Sequence, residues 1–81
     1  MREIKSVQCA NFTALLGETF RFCVLDDLGR PNGQLLTGKV QRIHRAGRKM
    51  AVDLYIQSIG STNTYTASRI YYHGRPREGL R

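Results

Sequence analysis

The sequence predicts an all-β fold: a small antiparallel barrel of four to five strands with one short helical or 3₁₀ turn. Apolar residues recur at every second position in several segments, the period of a half-buried strand. The segments are short, and Gly, Asn and Asp clusters punctuate them. With 81 residues, the chain has room for one domain and one core. It lacks Trp and has three Phe and four Tyr, so that core must be mainly aliphatic.

The N-terminal segment gives the weakest signal. Ile4 and Val7 suit a short edge strand. Asn11 is placed to cap one helical turn through Leu15 and Leu16, which Gly17 would end. From Thr19 to Val24 alternation is clear, with Phe20, Phe22 and Val24 on one face and Arg21 and Cys23 on the other. Asp26 to Gly33 is dense in turn formers, and Asn32-Gly33 suits a tight turn with positive φ.

Leu35 to Arg45 reads as the next strand, with Leu36, Gly38 and Val40 on one face. Ile43 breaks the parity, because it follows Val40 by three residues rather than two. A β-bulge near Gln41-Arg42 restores the register and bends the strand. Gly38 on the core face predicts a close approach by another backbone. Arg45-Ala46-Gly47-Arg48 is the expected hairpin tip. Lys49 to Ser58 alternates best, with Met50, Val52, Leu54 and Ile56 facing one way and Ala51, Asp53, Tyr55 and Gln57 the other. Gly60 to Asn63 is the expected turn after it.

From Thr64 to His73 the spacing changes twice: Tyr65 and Ala67 alternate, Ala67 and Ile70 are three apart, and Ile70 and Tyr72 alternate again. A 3₁₀ turn at Ala67-Ser68-Arg69 between two short strands fits. Residues 1–74 then form a single β-barrel domain, and residues 75–81 a basic tail. The expected core is Phe20, Phe22, Val24, Leu36, Val40, Ile43, Val52, Leu54, Ile56 and Ile70.

The layout from Gly17 to His73 resembles the SH3-like small-barrel class. An opening loop, three meander strands, a 3₁₀ turn and a short closing strand are its pattern. Tyr65-Thr66-Ala67-Ser68-Arg69-Ile70-Tyr71-Tyr72 carries most of the likeness. Type II plasmid dihydrofolate reductases belong to that class, but their Val-Gln-Ile-Tyr signature is absent here. The closest run is Asp53-Leu54-Tyr55-Ile56-Gln57, and the activity is not carried over.

Charge is the most directional feature. Residues 1–40 carry five Lys/Arg against four Asp/Glu, whereas residues 41–81 carry eight against two. Almost all of the net +7 therefore lies in the second half. A concentrated field of one sign draws in polyanions, of which nucleic acid is the commonest. Arg42, His44, Arg45, Arg48 and Lys49 flank the hairpin tip, where they can reach neighbouring phosphates. A solvated loop that keeps a small protein soluble has the same composition. Tyr55 and Tyr71 project opposite the core face, as stacking platforms for bases or as packing and subunit contacts. Arg69 lies between them in sequence. Arg75 and Arg77 belong to the tail, either a backbone-following arm or a disordered end.

These residues predict a small nucleic-acid-binding domain, DNA slightly favoured over RNA. The alternative is a protein-interaction or oligomerisation module of a larger assembly. Catalysis is not expected, since there is no paired-carboxylate spacing, nucleophile elbow or phosphate-binding glycine loop. A Cys23–His44 pair across neighbouring strands is geometrically conceivable. Cys9 and Cys23 are expected to be free, structural thiols. Neither a metal nor a cofactor is expected, because the two cysteines and two histidines lack ligand spacing. Without a long apolar run or a signal-peptide pattern, the chain is expected to avoid membranes and to be cytoplasmic.

Overall fold

A strand buried on one side must alternate, and Lys49–Ile56 does so from Val52 onward: Val52, Leu54 and Ile56 are fully buried while Asp53 and Tyr55 face the other way, although Ala51, on the same side as Asp53 and Tyr55, is buried too. The structure, a computed structural model, describes residues 3–74. Among them are seven strands: β1 (Ser6–Gln8), β2 (Thr13–Leu15), β3 (Thr19–Leu25), β4 (Pro31–Ala46), β5 (Lys49–Ile56), β6 (Ser61–Thr66) and β7 (Ile70–Gly74). A 3₁₀ turn, Ala67–Arg69, links β6 to β7. The fold is all-β, as expected, with more strands than the four to five expected.

Five strands form one antiparallel sheet in the order β6-β5-β4-β3-β7, and β1 and β2 pair separately. The ladder does not close into a barrel among the described residues, because β6 and β7 are its two edges. Closure of the hydrogen-bonded ladder would need β6 to pair with β7, and the intervening 3₁₀ turn takes the chain from one edge to the other instead. The bulge falls where the spacing requires it. Val40 pairs with Leu54 and Arg42 with Asp53, so Gln41 is the extra residue.

The inner face of the sheet holds the core. Phe20, Phe22, Val40, Val52, Leu54, Ile56 and Ile70 are almost completely buried, and Ile43 nearly so. Each large side chain contributes roughly 1.5–3 kcal/mol by leaving water. Val24 and Leu36 pack against this cluster but are only partly buried. The N-terminal pair adds Val7, Cys9 and Ala14, which were not expected in the core. Phe12 stands edge-on to Phe20 at 4.9 Å between ring centres and lies 4.8 Å from Tyr72.

Several local expectations are corrected. Asn11 does not cap a helix: Thr13–Leu15 is a strand. The Asn11 side chain instead accepts a bond from the Tyr72 backbone N–H at 2.8 Å and donates to the Tyr72 carbonyl at 3.3 Å. Together with the Ala10 N–H bond to the Ile70 carbonyl, this covers the outer edge of β7. The tight turn before β4 is Asp26 to Arg30, not Asn32-Gly33. The Asp26 N–H donates to the Arg30 carbonyl there, the Asp26 carbonyl accepts from the Gly29 N–H, and its carboxylate accepts from the Leu28 and Arg30 N–H groups. Gly33 does have a positive φ of 97°, but within β4, where the register with β3 shifts. The turn after β5 spans residues 57–60, and Ser61, Thr62 and Asn63 are already strand. Gly38 faces the core, yet side chains rather than a backbone fill its space: a Cβ there would lie 3.1 Å from both Ile56 Cδ1 and Phe22 Cε1.

Candidate nucleic-acid interface

The β4–β5 hairpin is built by its turn. Ala46 pairs with Lys49, leaving Gly47 and Arg48 as the two loop residues. Gly47 has φ of 68°, which the mirror-image hairpin turns require at their first position. Register then distributes the basic side chains. Arg42 and His44 share the outer face with Lys49, whereas Arg45 lies on the inner side opposite Met50, which packs against the core. Arg42, Arg45, Arg48 and Lys49 are all exposed.

Among the described residues Arg30 pairs with Asp26 and Arg69 with Asp27, and within the hairpin His44 Nε2 meets Asp53 Oδ1; Arg42, Arg45, Arg48 and Lys49 take part in none of these contacts. The four exposed cations of the hairpin therefore keep their charge available to an outside anion. Arg69 does not. Its guanidinium bonds the Asp27 carboxylate at 2.5 Å and reaches the Leu25 carbonyl at 3.5 Å, tying the 3₁₀ turn to the end of β3. That bond, then the Arg69 charge, holds the Asp27 carboxyl below its ordinary value, and the Lys49 charge adds to the effect.

His44 is also occupied. Its Nε2 lies 3.0 Å from Asp53 Oδ1, and the Thr64 hydroxyl donates to the same oxygen at 2.7 Å. Burial alone would raise the Asp53 carboxyl, but these two bonds and the charges of His44 and Arg42 outweigh it and leave it below the ordinary value. The conceivable Cys23–His44 contact does not form, because β3 pairs with β4 only between Pro31 and Lys39, short of His44. Cys23 Sγ instead meets His73 Nε2 at 3.4 Å. Both cysteines are free and buried. Burial pushes the Cys9 thiol up to about 11, which keeps it protonated and unreactive at neutral pH.

The two tyrosines differ. Tyr55 is exposed on the outer face of β5, directly opposite Lys39. Tyr71 is half-buried, pairs with Cys23 and has its ring 5.4 Å from that of His73. Arg75 and Arg77 lie outside the described residues.

Around Tyr55 the outer face holds a groove of about 350 Å³, lined by Thr19, Thr37, Gly38, Lys39, Gln41, Tyr55 and Gln57. Cross-strand register assembles it: Thr19 pairs with Lys39 and Lys39 with Tyr55, while the bulge carries Gln41 to the same rim. Sequence reasoning singled out Tyr55 but not Lys39 or the glutamines. The usable signal was parity, since Lys39 falls on the face opposite Gly38 and Val40. Among the described residues there is no group of three or more His, Cys, Asp or Glu able to hold a metal ion, and no helix long and apolar enough to cross a membrane.

Comparison with protein-family models, curated proteins and solved structures finds no match.

Proposed function

We propose that this chain is a small nucleic-acid-binding domain that contacts phosphates through the β4–β5 hairpin, with DNA slightly favoured over RNA. The observation that carries this reading is the contrast between charged loops. Arg42, Arg45, Arg48 and Lys49 are exposed and have no carboxylate partner among the described residues, whereas Arg30 and Arg69 are paired. Unpaired cations clustered at one hairpin are what a polyanion engages, and each phosphate contact releases counterions. Gly47 leaves the tip without a side chain at one position, which suits close approach to a backbone or groove.

The SH3-like barrel is part of the same proposal. Its support is the strand order β6-β5-β4-β3-β7, the bulged and bent β4, and the 3₁₀ turn before a short last strand. A cytoplasmic, non-enzymatic role accords with that reading.

One observation favours the interaction-module alternative. The edge of β7 is covered by Ala10 and Asn11, whereas β6 is a sheet edge whose sequence, Ser-Thr-Asn-Thr-Tyr-Thr, carries neither Lys nor Pro. Edges without such protection invite strand addition.

Fluorescence anisotropy against duplex DNA, single-stranded DNA and RNA at several salt concentrations separates the two readings. The R45A/R48A double variant should bind all sequences more weakly. The slope of log affinity against log salt should flatten by roughly 0.9 per lost phosphate contact on duplex DNA. Unchanged affinity with an intact fold would make the hairpin a solvated loop and leave strand addition along β6 as the leading reading.

A further inference from the structure

We propose that the outer-face groove around Tyr55 seats one nucleotide whose base is unpaired, a reading that deepens the nucleic-acid proposal and rests on it. The lining selects this chemistry. Among the described residues Tyr55 is the only aromatic of the groove, and it is exposed. A base stacked on such a ring gains contact whatever its identity, because every base has a π-face. Lys39 lies directly across from Tyr55 and makes no ion pair among the described residues, so its ammonium is available to the phosphate.

Gln41 and Gln57 each offer an amide donor and an amide acceptor, which can meet the edges of different bases. Thr19 and Thr37 supply hydroxyls. Among the described residues the lining holds no carboxylate to attract a cation. Its volume, about 350 Å³, falls within the range of small-molecule clefts, roughly 300–1,000 Å³. Bases inside a duplex are stacked and paired and cannot present a free face to Tyr55. The groove therefore takes a single strand or a free nucleotide.

Position joins the groove to the hairpin. Along the outer side of β5, Tyr55 is followed toward the tip by Asp53, Ala51 and Lys49, and β4 places Arg42 opposite Asp53. From Tyr55 to Lys49 the strand spans about 20 Å at its usual rise. A strand seated by one base at Tyr55 can thus run past Arg42 toward Arg48 and Lys49. The intervening Asp53 carboxylate is engaged by His44 and Thr64 and lies within the field of Arg42.

The test is an anisotropy titration with a labelled thymidine homopolymer and a labelled duplex, plus competition by free thymidine monophosphate. Wild type, Tyr55→Ala, Tyr55→Phe and R45A/R48A are compared, with thermal unfolding as the check on folding. Tyr55→Ala should weaken homopolymer binding roughly 5- to 150-fold, the range of one lost base stack, and leave duplex binding unchanged. Tyr55→Phe keeps the ring and should restore binding. Competition by the monophosphate would identify a free-nucleotide site; its failure to compete would identify a strand-only site. Homopolymer affinity unchanged in a folded Tyr55→Ala protein overturns the groove proposal, and the hairpin reading stands if R45A/R48A still binds weakly. Loss in Tyr55→Ala with no loss in R45A/R48A does the reverse. A wild type that binds none of the probes overturns both.

Discussion

The two faces of β5 lie on one backbone and do opposite things. Val52, Leu54 and Ile56 point inward and are fully buried against a cluster that includes Phe20 and Phe22. Asp53 and Tyr55, interleaved with them, point outward among Lys39, Arg42 and threonines of β3 and β6. The pleat forces this separation, because successive side chains must leave opposite sides of the sheet. Cohesion and recognition are therefore held by alternate residues of the same strand. Substitutions on the inner face should change stability, and those on the outer face should change binding with little effect on the fold.

The sharpest way to break this contrast is Leu54→Ala. It should cost about 2–5 kcal/mol in chemical denaturation, the range for a buried Leu that leaves a cavity. A loss below about half a kilocalorie, the size of a surface change, would remove Leu54 from the core. Gly38→Ala comes next and tests the core by adding volume. The new methyl would lie 3.1 Å from Ile56 Cδ1 and Phe22 Cε1 and 3.3 Å from Leu54 Cβ. Overpacking of this kind costs about 1–3 kcal/mol, read as a lower melting temperature. An unchanged melt would mean that the two side chains move aside freely.

Asp53→Asn gives a smaller, pH-dependent effect on the outer face. The folded carboxyl sits below its ordinary value, so over the titration range the unfolded chain holds more protons. The stabilisation is complete above the unfolded carboxyl value and fades as pH falls through the folded one. The stability gap between wild type and variant should accordingly narrow below about pH 4. A gap constant across that range would mean that the bonds from His44 and Thr64 do not stabilise the charged form. Smallest of all is the stability change in R45A/R48A, which should stay within about 0.5 kcal/mol even as salt-dependent affinity falls. A large loss of stability would show these arginines to be structural rather than free to bind.

Much of the fold was legible because its signals were local. The three-residue step from Val40 to Ile43 located the bulge at Gln41, and the step from Ala67 to Ile70 located the 3₁₀ turn. Residues 3–18 were legible only in part: the short strand expected around Ile4 and Val7 is there at Val7, but not at Ile4. Strands of three residues, such as Ser6–Gln8 and Thr13–Leu15, are too short to display a period. Asn11 beside Leu15-Leu16 looks like a helix cap, but its partner is Tyr72, sixty-one residues away. Cys9 and Ala14 show no apolar pattern, yet they are buried because the β1–β2 pair lies over the core. In the candidate site, the basic hairpin and Tyr55 were visible as composition and parity. The commitment of Arg69 to Asp27 was not, since forty-two residues separate them.

The sequence alone determined which side chains share a face, where β4 bends and where the charge accumulates. Each of these follows from neighbours a few residues apart, through the period of the strand and the demands of a tight turn. The tertiary structure alone decided which strands lie side by side. Pairing β3, β4 and β5 in this register assembles Thr19, Lys39 and Tyr55 into one groove, brings Cys23 to His73 rather than His44, and turns the 3₁₀ segment so that Arg69 meets Asp27. Such contacts join residues distant in the chain, and no local period encodes them. They are set by the one arrangement that buries Phe20, Phe22, Leu54 and Ile56 together.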